Sequence, residues 1–393
     1  MSSTGPLAGV TVVDLTRALA GPHATMMMGD LGARIIKVEN PAGGDDTRGW
    51  GPPFAGPADE PQSTYFLSCN RNKESVVLDL KGDEDRALLR GLLRGADVLV
   101  ENFRPGTLDR LGFDPGTLAQ LNPRLVVLSI SGFGHDGPEG GRAGYDQIAQ
   151  GESGLMSLTG TGPEDPQKVG VPIGDLLAGI YGAYGVLAAL LERERTGRGQ
   201  IVRTSLLASL VSVHTFQGTK WTVAGEVGRA QGNHHPSIAP YGLFRCGDGS
   251  VQIAVGSESL WRRFAPLVAI DPDEPQLKDN SSRVAHREEL LTRIETAYAS
   301  RRRDDVLAEL EAAGIPAGRV RSLDEVYAWE QTRSQGLIVE VDHPLLGSVQ
   351  LPGPPLRFFE PSGRETTRQE HHAPPLLGEH TEKVRQSMRR LTA

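Results

Sequence analysis

The chain has 393 residues, of which 38% are hydrophobic and 23% are charged, and its formal net charge is -8. This composition is typical of a soluble globular protein, and the length indicates about two or three domains. The acidic balance argues against a nucleic-acid partner, because no excess of Lys and Arg is present to neutralise phosphates.

The cysteines and histidines argue against disulfide and metal frameworks. The only cysteines are Cys69 and Cys246, which fits a reducing cytoplasm. The adjacent pairs His234–His235 and His371–His372 lack the helical spacing of metal ligands, so we expect no metal site.

The apolar segments do not indicate a membrane protein. The N-terminal MSSTGPLAG lacks the basic and apolar regions of a signal peptide. The apolar run 176–191 is rich in Gly and shorter than the roughly 18 to 20 residues that a bilayer span needs. We therefore expect a cytoplasmic protein without a membrane partner, in which this run is a buried helix.

Strands and helices alternate in the first part of the chain. The segments VTVVDL (10–15) and ARIIKVEN (33–40) are predicted strands, and HATMMMGDLG (23–32) is a predicted helix. The pattern repeats through SVVLDL, DEDRALLRGLLRGA, DVLVEN, TLAQLN and RLVVLSISGFG. It predicts an α/β fold with a doubly wound, Rossmann-like open sheet. Ligands of such sheets bind beyond the carboxyl ends of the strands, so the loops TRALAGP, VENFRPG and SGFGHDGP are candidate ligand contacts.

A long helix is predicted from Asp175 to about Arg195, ending at Thr196-Gly197. Glycines at every third position from 179 to 185 indicate close packing of this helix. The role of Asp175 has two interpretations. It is an N-cap, which the residues alone favour, or it is a nucleophile or base at a helix start flanked by glycines.

The pattern of predicted secondary structure changes near residue 225. The segment NHHPSIAPYGLFRCGDGSVQIAVGS predicts a hairpin around Gly-Asp-Gly, and residues 259–313 have helical periodicity. Strand-like and Pro-rich segments follow residue 330. We predict a large α/β domain over 1–224, a small α+β domain over 225–325, and a segment 326–393 that returns to the large domain.

Two nucleotide motifs are excluded, and basic loop residues remain. GFGHDG (132–137) matches a dinucleotide fingerprint, but Pro138 and the following glycines continue a loop where a helix must begin. The chain has no G-x-x-x-x-G-K-[ST] phosphate loop. Four basic side chains lie at the predicted strand ends, and each taken alone is best interpreted as a solvated surface charge. If they converge at one edge of the sheet, they would together hold the phosphates of coenzyme A. They are Lys81, Arg104, Arg110 and Arg142.

The motifs taken in order resemble the class III CoA-transferase family, which includes formyl-CoA transferase and, by fold, the 2-methylacyl-CoA racemases. They are DLTRALAGP, GDLGARIIKVENP, GDDTRGWGPPF, CNRNKESVVLDLK, VENFRPGTLDRLGF, NPRLVVLSISGFGHDGP, AGYDQIAQGESGLM, VPIGDLLAGIYG, TGRGQ and PLLGEHT, and they span nearly the whole chain. The resemblance implies an enzyme that moves CoA from an acyl-CoA to a carboxylic acid. It also implies CoA thioesters as substrates, no tightly bound cofactor, and an interlocked homodimer.

The resemblance reverses the interpretation of Asp175, which becomes the nucleophile that forms an aspartyl anhydride and then an aspartyl-CoA thioester. A carboxylate at a helix N-terminus is expected to be held ionised by the helix dipole. The resemblance also implies contacts to CoA within the large domain. They are Leu19, Ala20, Asn40, Leu78, Lys81, Asn102, Phe103, Arg104, Arg110, Ala143, Gly144, Tyr145 and Asp146, where Asn40 takes the place of an Arg that lies near the adenine in formyl-CoA transferase.

Substrate and reaction have alternatives. The segments TRALAGP, GDDTRGWGPPF and IAPYGLF are similar to those of the family branch that uses succinyl-CoA and dicarboxylates. Leu19 and NHHPSIAPYGLF replace a Gln and a glycine run of formyl-CoA transferase, which argues against formate and oxalate. A racemase would need a His where this chain has Tyr145, and Tyr with a pKa of about 10 is a poor base at neutral pH. A non-catalytic acyl-CoA-binding protein is the third hypothesis.

Overall fold

The computed structural model describes residues 4–392. Its strands are β1 (Thr11–Asp14), β2 (Arg34–Glu39), β3 (Phe54–Ala55), β4 (Gln62–Ser63), β5 (Lys73–Val77), β6 (Val98–Glu101), β7 (Val126–Ser131), β8 (Ile201–Ser205), β9 (Tyr241–Cys246), β10 (Gly249–Ala254), β11 (Ala317–Gly318), β12 (Ile338–His343) and β13 (Gly347–Pro352). Its α-helices are α1 (Ala20–Asp30), α2 (Thr64–Ser68), α3 (Asp83–Arg94), α4 (Thr107–Arg110), α5 (Pro115–Leu121), α6 (Asp146–Glu152), α7 (Ile173–Thr196), α8 (Leu206–Ser212), α9 (Thr215–Ala224), α10 (Glu258–Phe264), α11 (Asn280–Ala285), α12 (Arg287–Tyr298), α13 (Arg303–Ala312), α14 (Leu323–Ala328), α15 (Glu330–Ser334) and α16 (Thr381–Thr392). Short 3-10 turns lie at Asp46–Gly49, Leu155–Leu158 and Ala265–Val268.

The central sheet confirms the predicted fold class. Its six strands are parallel and lie in the order β5-β2-β1-β6-β7-β8. Numbered along the chain, this is the order 3-2-1-4-5-6 of doubly wound nucleotide-binding sheets. The order reverses between β1 and β6, so the loops that follow these two strands flank the crevice where such sheets bind ligands.

Helices cover both faces of the sheet because neighbouring residues of a strand point to opposite faces. On β1, Val12 joins a core with α1, α7 and α8, whereas Val13 joins a core with α3 and α5. Both valines are fully buried. This two-sided burial explains the near-continuous apolar runs that predicted the strands.

Helix α7 packs closely against its neighbours through glycines, as predicted. A Cβ on Gly179 would lie 2.6 Å from the carbonyl oxygen of Ala20 in α1, and one on Gly185 would lie 2.6 Å from Val202 Cγ1 in β8. The helix ends before Gly197, which has a φ of 69°. Among the described residues this helix alone is long and apolar enough to cross a membrane, but its glycine face forms part of the protein core.

The chain divides into two compact units. One contains the chain up to Leu155, Val169–Thr219 and the chain from Glu330 onward. The other contains Met156–Lys168 and Lys220–Trp329. The short segment Met156–Lys168 thus groups with the second unit, although the sequence division places it in the large domain.

The second unit is an α+β structure. The predicted hairpin is present, with Cys246 of β9 opposite Gly249 of β10, and β11 completes an antiparallel sheet. Helices α10 to α13 supply the periodic segments, and their apolar faces share one core with the sheet. Trp261 and Phe264 are among its fully buried members.

The last segment packs within the first unit. The amide of His380 donates to the carbonyl of Ser75 in β5 at 2.9 Å, and the amide of Val77 donates to Thr381 Oγ1 at 3.0 Å. Helix α16 then lies against α3, where Met388 contacts Gly91. The carboxy-terminal helix therefore covers the outer strand of the central sheet.

Candidate active site

A cavity of about 190 Å³ lies at the point where the strand order reverses. It is lined by Leu15, Thr16, Arg17, Lys37, Val38, Glu39, Asn40, Gly44, Asp45, Leu78, Asp79, Leu80, Lys81, Phe103 and Leu111. The lining includes Asn40, Leu78, Lys81 and Phe103, which the sequence predicted as CoA contacts. The structure therefore brings these four predicted residues together at one crevice.

Arg17 also lines this cavity, although it is not among the CoA contacts that the resemblance implied. Its amide donates to Asn102 Oδ1 at 3.0 Å, and Asn102 Nδ2 donates back to its carbonyl at 2.7 Å. Its guanidinium lies 3.5 Å from Asp46 and 5.8 Å from the Phe103 ring centroid, and the side chain is 47% exposed. The predicted contact Asn102 thus joins the loops after β1 and β6, and the free face of Arg17 is available to an anion. Its place in the candidate loop TRALAGP was the signal available in the sequence.

A buried ion pair stabilises the loop that follows β1. Lys37 Nζ donates to Asp45 Oδ2 and to the carbonyl of Thr16, both at 2.8 Å. Asp45 Oδ1 accepts the amide of Ala18 at 3.1 Å, which holds Ala18 at a φ of 67°. Burial disfavours the ammonium, but Asp45 and Asp14 outweigh it and raise the pKa of Lys37. The pair therefore stays charged and fixes the backbone that lines the cavity.

Asp175 lies in the first turn of α7 but does not cap it. The helix begins at Ile173, with Pro172 at the N-cap position and no capping side-chain bond from that residue. Asp146 Oδ1 accepts the amide of Gly174 at 2.7 Å and lies 3.4 Å from the amide nitrogen of Asp175. The capping interpretation of Asp175 is therefore wrong, because the carboxylate that satisfies these amides comes from Asp146.

The Asp175 carboxyl lacks hydrogen-bonding and ionic partners among the described residues. Within residues 4–392, no side chain donates a hydrogen bond to it and no cation pairs with it. Burial, and then the charge of Asp146, raise its pKa to about 7. The expectation that the helix dipole keeps it ionised is thus wrong in direction, because desolvation and a like charge outweigh the dipole. The result is a carboxylate that is only partly ionised at neutral pH and has no bond that restrains it.

Tyr65 is a neighbour of Asp175 that the sequence did not indicate. Burial, and then the charge of Asp175, raise the pKa of Tyr65 to about 12, so its hydroxyl stays neutral. The ring packs edge-on to Trp50 at 5.0 Å between centroids. It also joins a small cluster with Leu19 and Leu176, the residue after Asp175. The loop Leu15–Leu19 therefore runs from the cavity to the surroundings of the candidate nucleophile.

The basic residues after β6 lie on the surface. Arg104 and Arg110 are both exposed, and Arg110 Nη2 donates to Thr107 Oγ1 at 2.8 Å. Neither is among the residues that line the cavity. Arg142, the other basic candidate, forms ion pairs with Glu152 at 2.6 Å and with Glu139 at 3.3 Å. The charge of Arg142 is therefore already balanced within the chain.

The segment that leads into α6 connects to the first turn of α7 rather than to the cavity. Ala143 and Tyr145 are exposed, and Tyr145 occupies the N-cap position of α6. Gly144 passes so close to Gly132 that a Cβ on Gly132 would lie 2.9 Å from its Cα. Asp146, predicted as a CoA contact, has its carboxylate committed to α7. Ala20, the remaining predicted contact, is buried at the start of α1.

Metal chemistry has no evident ligand set in the part of the chain that is described. Across residues 4–392, no group of at least three His, Cys, Asp or Glu side chains is arranged to hold a metal ion. Cys69 is buried, and burial raises its pKa to about 11, so its thiol is a poor nucleophile at neutral pH. The carboxyl of Asp175, by contrast, has a raised pKa and no cationic partner among the described residues.

Known proteins resemble this chain along nearly its whole length. The sequence profile described as CoA-transferase family III matches residues 7–381. Succinate–glutarate CoA-transferase of Agrobacterium fabrum is 40% identical over 390 residues, covering 96% of this chain and 94% of that protein. Succinyl-CoA:glutarate CoA-transferase of Mus musculus is 38% identical over 384 residues, covering 97% of this chain and 86% of that protein.

A solved structure gives the same result. The crystal structure of a CaiB/BaiF family protein from Brucella suis is similar with a TM-score of 0.85 and 38% sequence identity, covering 98% of this chain and 100% of that one. The resemblance that the motifs indicated is thereby confirmed, together with the fold class. The chain belongs to CoA-transferase family III and is an enzyme that transfers CoA.

Proposed function

We propose that this CoA-transferase takes CoA from succinyl-CoA and gives it to a dicarboxylic acid, with glutarate the first candidate, through acylation of Asp175. The names of the two relatives support this choice of donor and acceptor. The main support for this mechanism is the environment of the Asp175 carboxyl. It lies in the first turn of α7, its pKa is raised, and it has no cationic partner among the described residues. Such a group is suited to attack rather than to structural pairing.

The chemistry needs neither metal nor ATP because one activated bond is exchanged for another. The Asp175 carboxylate attacks the thioester carbonyl, forming a mixed anhydride and releasing the CoA thiolate. The thiolate attacks the aspartyl carbonyl of the anhydride, which gives an aspartyl-CoA thioester and frees the donor acid. The acceptor carboxylate then attacks this thioester, and the same steps in reverse yield the new acyl-CoA and free Asp175.

The raised pKa assists the first step. A carboxylate with a pKa of about 7 is a stronger nucleophile than an ordinary aspartate, yet a large fraction remains ionised at neutral pH. The neutral hydroxyl of Tyr65, whose pKa the charge of Asp175 helps to raise, is a candidate donor toward an oxygen that gains charge in the transition state. The site therefore needs no separate base, because the nucleophile has no proton to lose once ionised.

CoA binding is proposed at the cavity of the large unit. The side chains of Arg17 and Lys81 would pair with phosphates, and Phe103 supplies an apolar surface for the adenine. The pantetheine arm would follow the loop from Leu15 to Leu19 toward α7. Two exposed residues, Arg104 and Arg110, would meet the outer phosphate.

A homodimer in the cytoplasm is proposed on the family resemblance. Support comes from the outer face of α7, which leaves large apolar side chains in contact with solvent. They are Ile180, Tyr181, Tyr184, Leu187 and Leu191, with exposures from 36% to 74%. A contiguous apolar stripe of this kind is typical of a buried subunit interface. Light scattering should give a dimer for the natural chain and a monomer for Leu191→Asp.

Acceptor identity is tested by turnover. Enzyme is incubated with succinyl-CoA and, in turn, glutarate and other dicarboxylates of different length, and acyl-CoA products are separated by mass. We expect glutaryl-CoA with equimolar release of succinate. Transfer only to monocarboxylates would contradict the proposed acceptor class while leaving CoA transfer intact.

The nucleophile is tested by a variant and by trapping. Asp175→Asn should bind CoA thioesters as before but lose transfer by at least ~10³-fold, since the amide cannot form the anhydride. Hydroxylamine treatment or mass spectrometry of enzyme mixed with succinyl-CoA alone should find an adduct at residue 175. Asp114→Asn, which alters the cap of α5, is the control and should keep both turnover and adduct.

Other outcomes identify the alternative activities. Turnover by Asp175→Asn at the natural rate would reject the mechanism. Entry of solvent deuterium into an acyl-CoA without any acceptor acid would indicate a racemase. Saturable binding with no exchange of label between free acid and thioester would indicate a binding protein.

A further inference from the structure

We propose that Asp146 is a positioning residue for this reaction, which holds the first turn of α7 in place and, through its charge, sets the pH range in which Asp175 attacks. The proposal rests on the proposed role of Asp175 as nucleophile. It replaces the role in CoA binding that the sequence predicted for Asp146. Asp146 itself makes no bond to substrate in this scheme and acts only through Asp175.

The geometry of Asp146 leaves it no freedom to act elsewhere. One carboxylate oxygen accepts the Gly174 amide at 2.7 Å and faces the Asp175 amide at 3.4 Å. The other accepts Gln150 Nε2 at 2.7 Å. Gln150 is fully buried, and its own Oε1 accepts the amide of Val169 at 2.9 Å. Asp146 is therefore held from one side by α6 and holds, on the other, the segment that leads into α7.

A tertiary cap of this kind is needed because the local sequence provides none. Pro172 has no side-chain acceptor and precedes the helix directly. The amide of Ile173 donates to the carbonyl of Val171, but the amides of Gly174 and Asp175 have Asp146 as their only acceptor among the described residues. Its carboxylate thus substitutes for an N-cap from 28 residues away along the chain.

The same placement puts a negative charge beside the nucleophile. The groups that face Asp175 are Asp146 from α6 and the neutral Tyr65 from α2, and no ion pair to Asp175 is formed by Arg, Lys or His of the described chain. A like charge disfavours ionisation of its neighbour. Asp146 therefore moves the ionisation of Asp175 toward neutral pH, where the carboxylate is both present and reactive.

The test separates charge from shape. Asp146→Asn keeps an oxygen for the Gly174 amide and removes the charge, whereas Asp146→Glu keeps the charge and displaces it. The pH dependence of kcat/KM for CoA transfer, which reports ionisation of the free enzyme, is measured for both, with circular dichroism and thermal unfolding as checks of folding. Asp114→Asn, which changes a capping carboxylate whose bonds go to Thr117 of α5, is the matched control.

Expected results differ in direction. The natural enzyme should lose activity below a midpoint near pH 7, and Asp146→Asn should move this midpoint down by roughly one unit. Asp146→Glu, which retains the charge, should move the midpoint less than Asp146→Asn and lower the plateau, and Asp114→Asn should change neither. Trapped adduct at residue 175 should follow the same midpoints.

Two results would overturn the proposal. One is a folded Asp146→Asn enzyme whose midpoint equals that of the natural enzyme. The other applies if Asp146→Asn does not fold, and is a folded Asp146→Ser enzyme, which keeps an oxygen for the amide but lacks the charge, whose midpoint equals that of the natural enzyme. Failure of the proposed nucleophile is distinguishable, because it would appear as turnover in Asp175→Asn whatever residue 146 is.

Discussion

Asp14 and Asp175 lie in two different regions of the large unit, and their carboxyl groups behave in opposite ways. At the carboxyl end of β1, Asp14 is fully buried, with Lys73 Nζ at 3.1 Å and Thr25 Oγ1 at 2.6 Å. Burial opposes its ionisation, but Lys73 and Lys37 outweigh burial and lower its pKa to about 2. At the start of α7, Asp175 has no cationic partner in the described part of the chain, and its pKa rises to about 7. Burial alone therefore does not determine whether a carboxyl group is ionised. The charged and hydrogen-bonding side chains around it determine this.

The difference separates structural from chemical roles. The ions around Asp14 hold the loop that carries Arg17, and each has several partners, so none is free to react. Asp175 lies on a well-packed helix, but no cation of the described residues pairs with its carboxyl, as the proposed role in acyl transfer requires. A substitution that removes a partner from the first region should therefore cost stability, whereas one that removes Asp175 should cost activity alone.

The largest stability loss is expected for Lys37→Met. The change keeps the volume but leaves the Asp45 carboxylate buried without its cation and the Thr16 carbonyl without its donor. Removing one partner of a buried ion pair costs about 3–5 kcal/mol. Chemical denaturation monitored in the far ultraviolet gives the free energy of unfolding.

Lys278→Met is the control for this prediction, because Lys278 is exposed in the second unit. Its effect should be within about 0.5 kcal/mol of zero. Equal stability of the natural chain and Lys37→Met would show that the buried ions around β1 contribute nothing net, and would remove the contrast with Asp175.

A smaller loss is expected for Gly179→Ala, which tests the packing that buries Asp175. The new Cβ would lie 2.6 Å from the Ala20 carbonyl oxygen and 3.3 Å from His23 Cδ2, and backbone cannot move aside cheaply. Overpacking of this kind costs up to about 3 kcal/mol, offset by about 1 kcal/mol from the helix propensity of Ala, which leaves a net loss of about 2 kcal/mol. Thermal unfolding measures the difference.

Gly91→Ala is the matched control in α3. There the added Cβ meets only the terminal Cε of Met388, at 2.8 Å, and a flexible side chain end can shift. We expect this variant to be as stable as the natural chain or slightly more stable. A loss in Gly91→Ala equal to that in Gly179→Ala would show that the effect is not specific to the contact between α1 and α7.

The sequence predicted the sheet well because its strands are buried on both faces and read as apolar runs. This rule gives no indication of the buried ion pairs next to the candidate site. Lys37 lies inside ARIIKVEN and Lys73 opens β5, and neither position shows that its ammonium is fully enclosed. Their partners Asp45 and Asp14 come from other elements, so only the folded chain reveals the pairs.

At the candidate site, too, local sequence patterns predicted some features and missed others. Helix α1 begins at Ala20 rather than His23, since Pro22 is tolerated in a first turn that the sequence assigned to a loop. The motif around Asp175 identified the candidate nucleophile, but its cap, Asp146, lies 29 residues away in sequence. Tyr65 has no motif of its own. Long-range contacts of this kind arise from packing and carry no local pattern.

The smallest effect should be a gain of stability in Asp175→Asn, and its sign depends on pH. In the unfolded chain Asp175 ionises near its ordinary pKa of 3.8, whereas in the folded chain it ionises near 7. The unfolded state therefore binds fewer protons between these values, so folding stability falls as pH rises through this window and the penalty is complete above it. The three-unit gap corresponds to at most about 4 kcal/mol, and solvent access to the partly exposed side chain reduces this to about 1–2 kcal/mol.

The amide introduced by Asp175→Asn carries no charge and escapes this penalty, so the variant should match the natural chain at pH 4 and exceed it at pH 8. Thermal unfolding at both pH values measures the change. Asp114→Asn supplies a control of opposite sign, because hydrogen bonds from Thr117 lower the pKa of Asp114 and its removal should destabilise the chain at pH 8. A variant Asp175→Asn that is less stable than the natural chain at pH 8 would mean that the Asp175 carboxylate is paired in the folded protein, and the contrast with Asp14 would be lost.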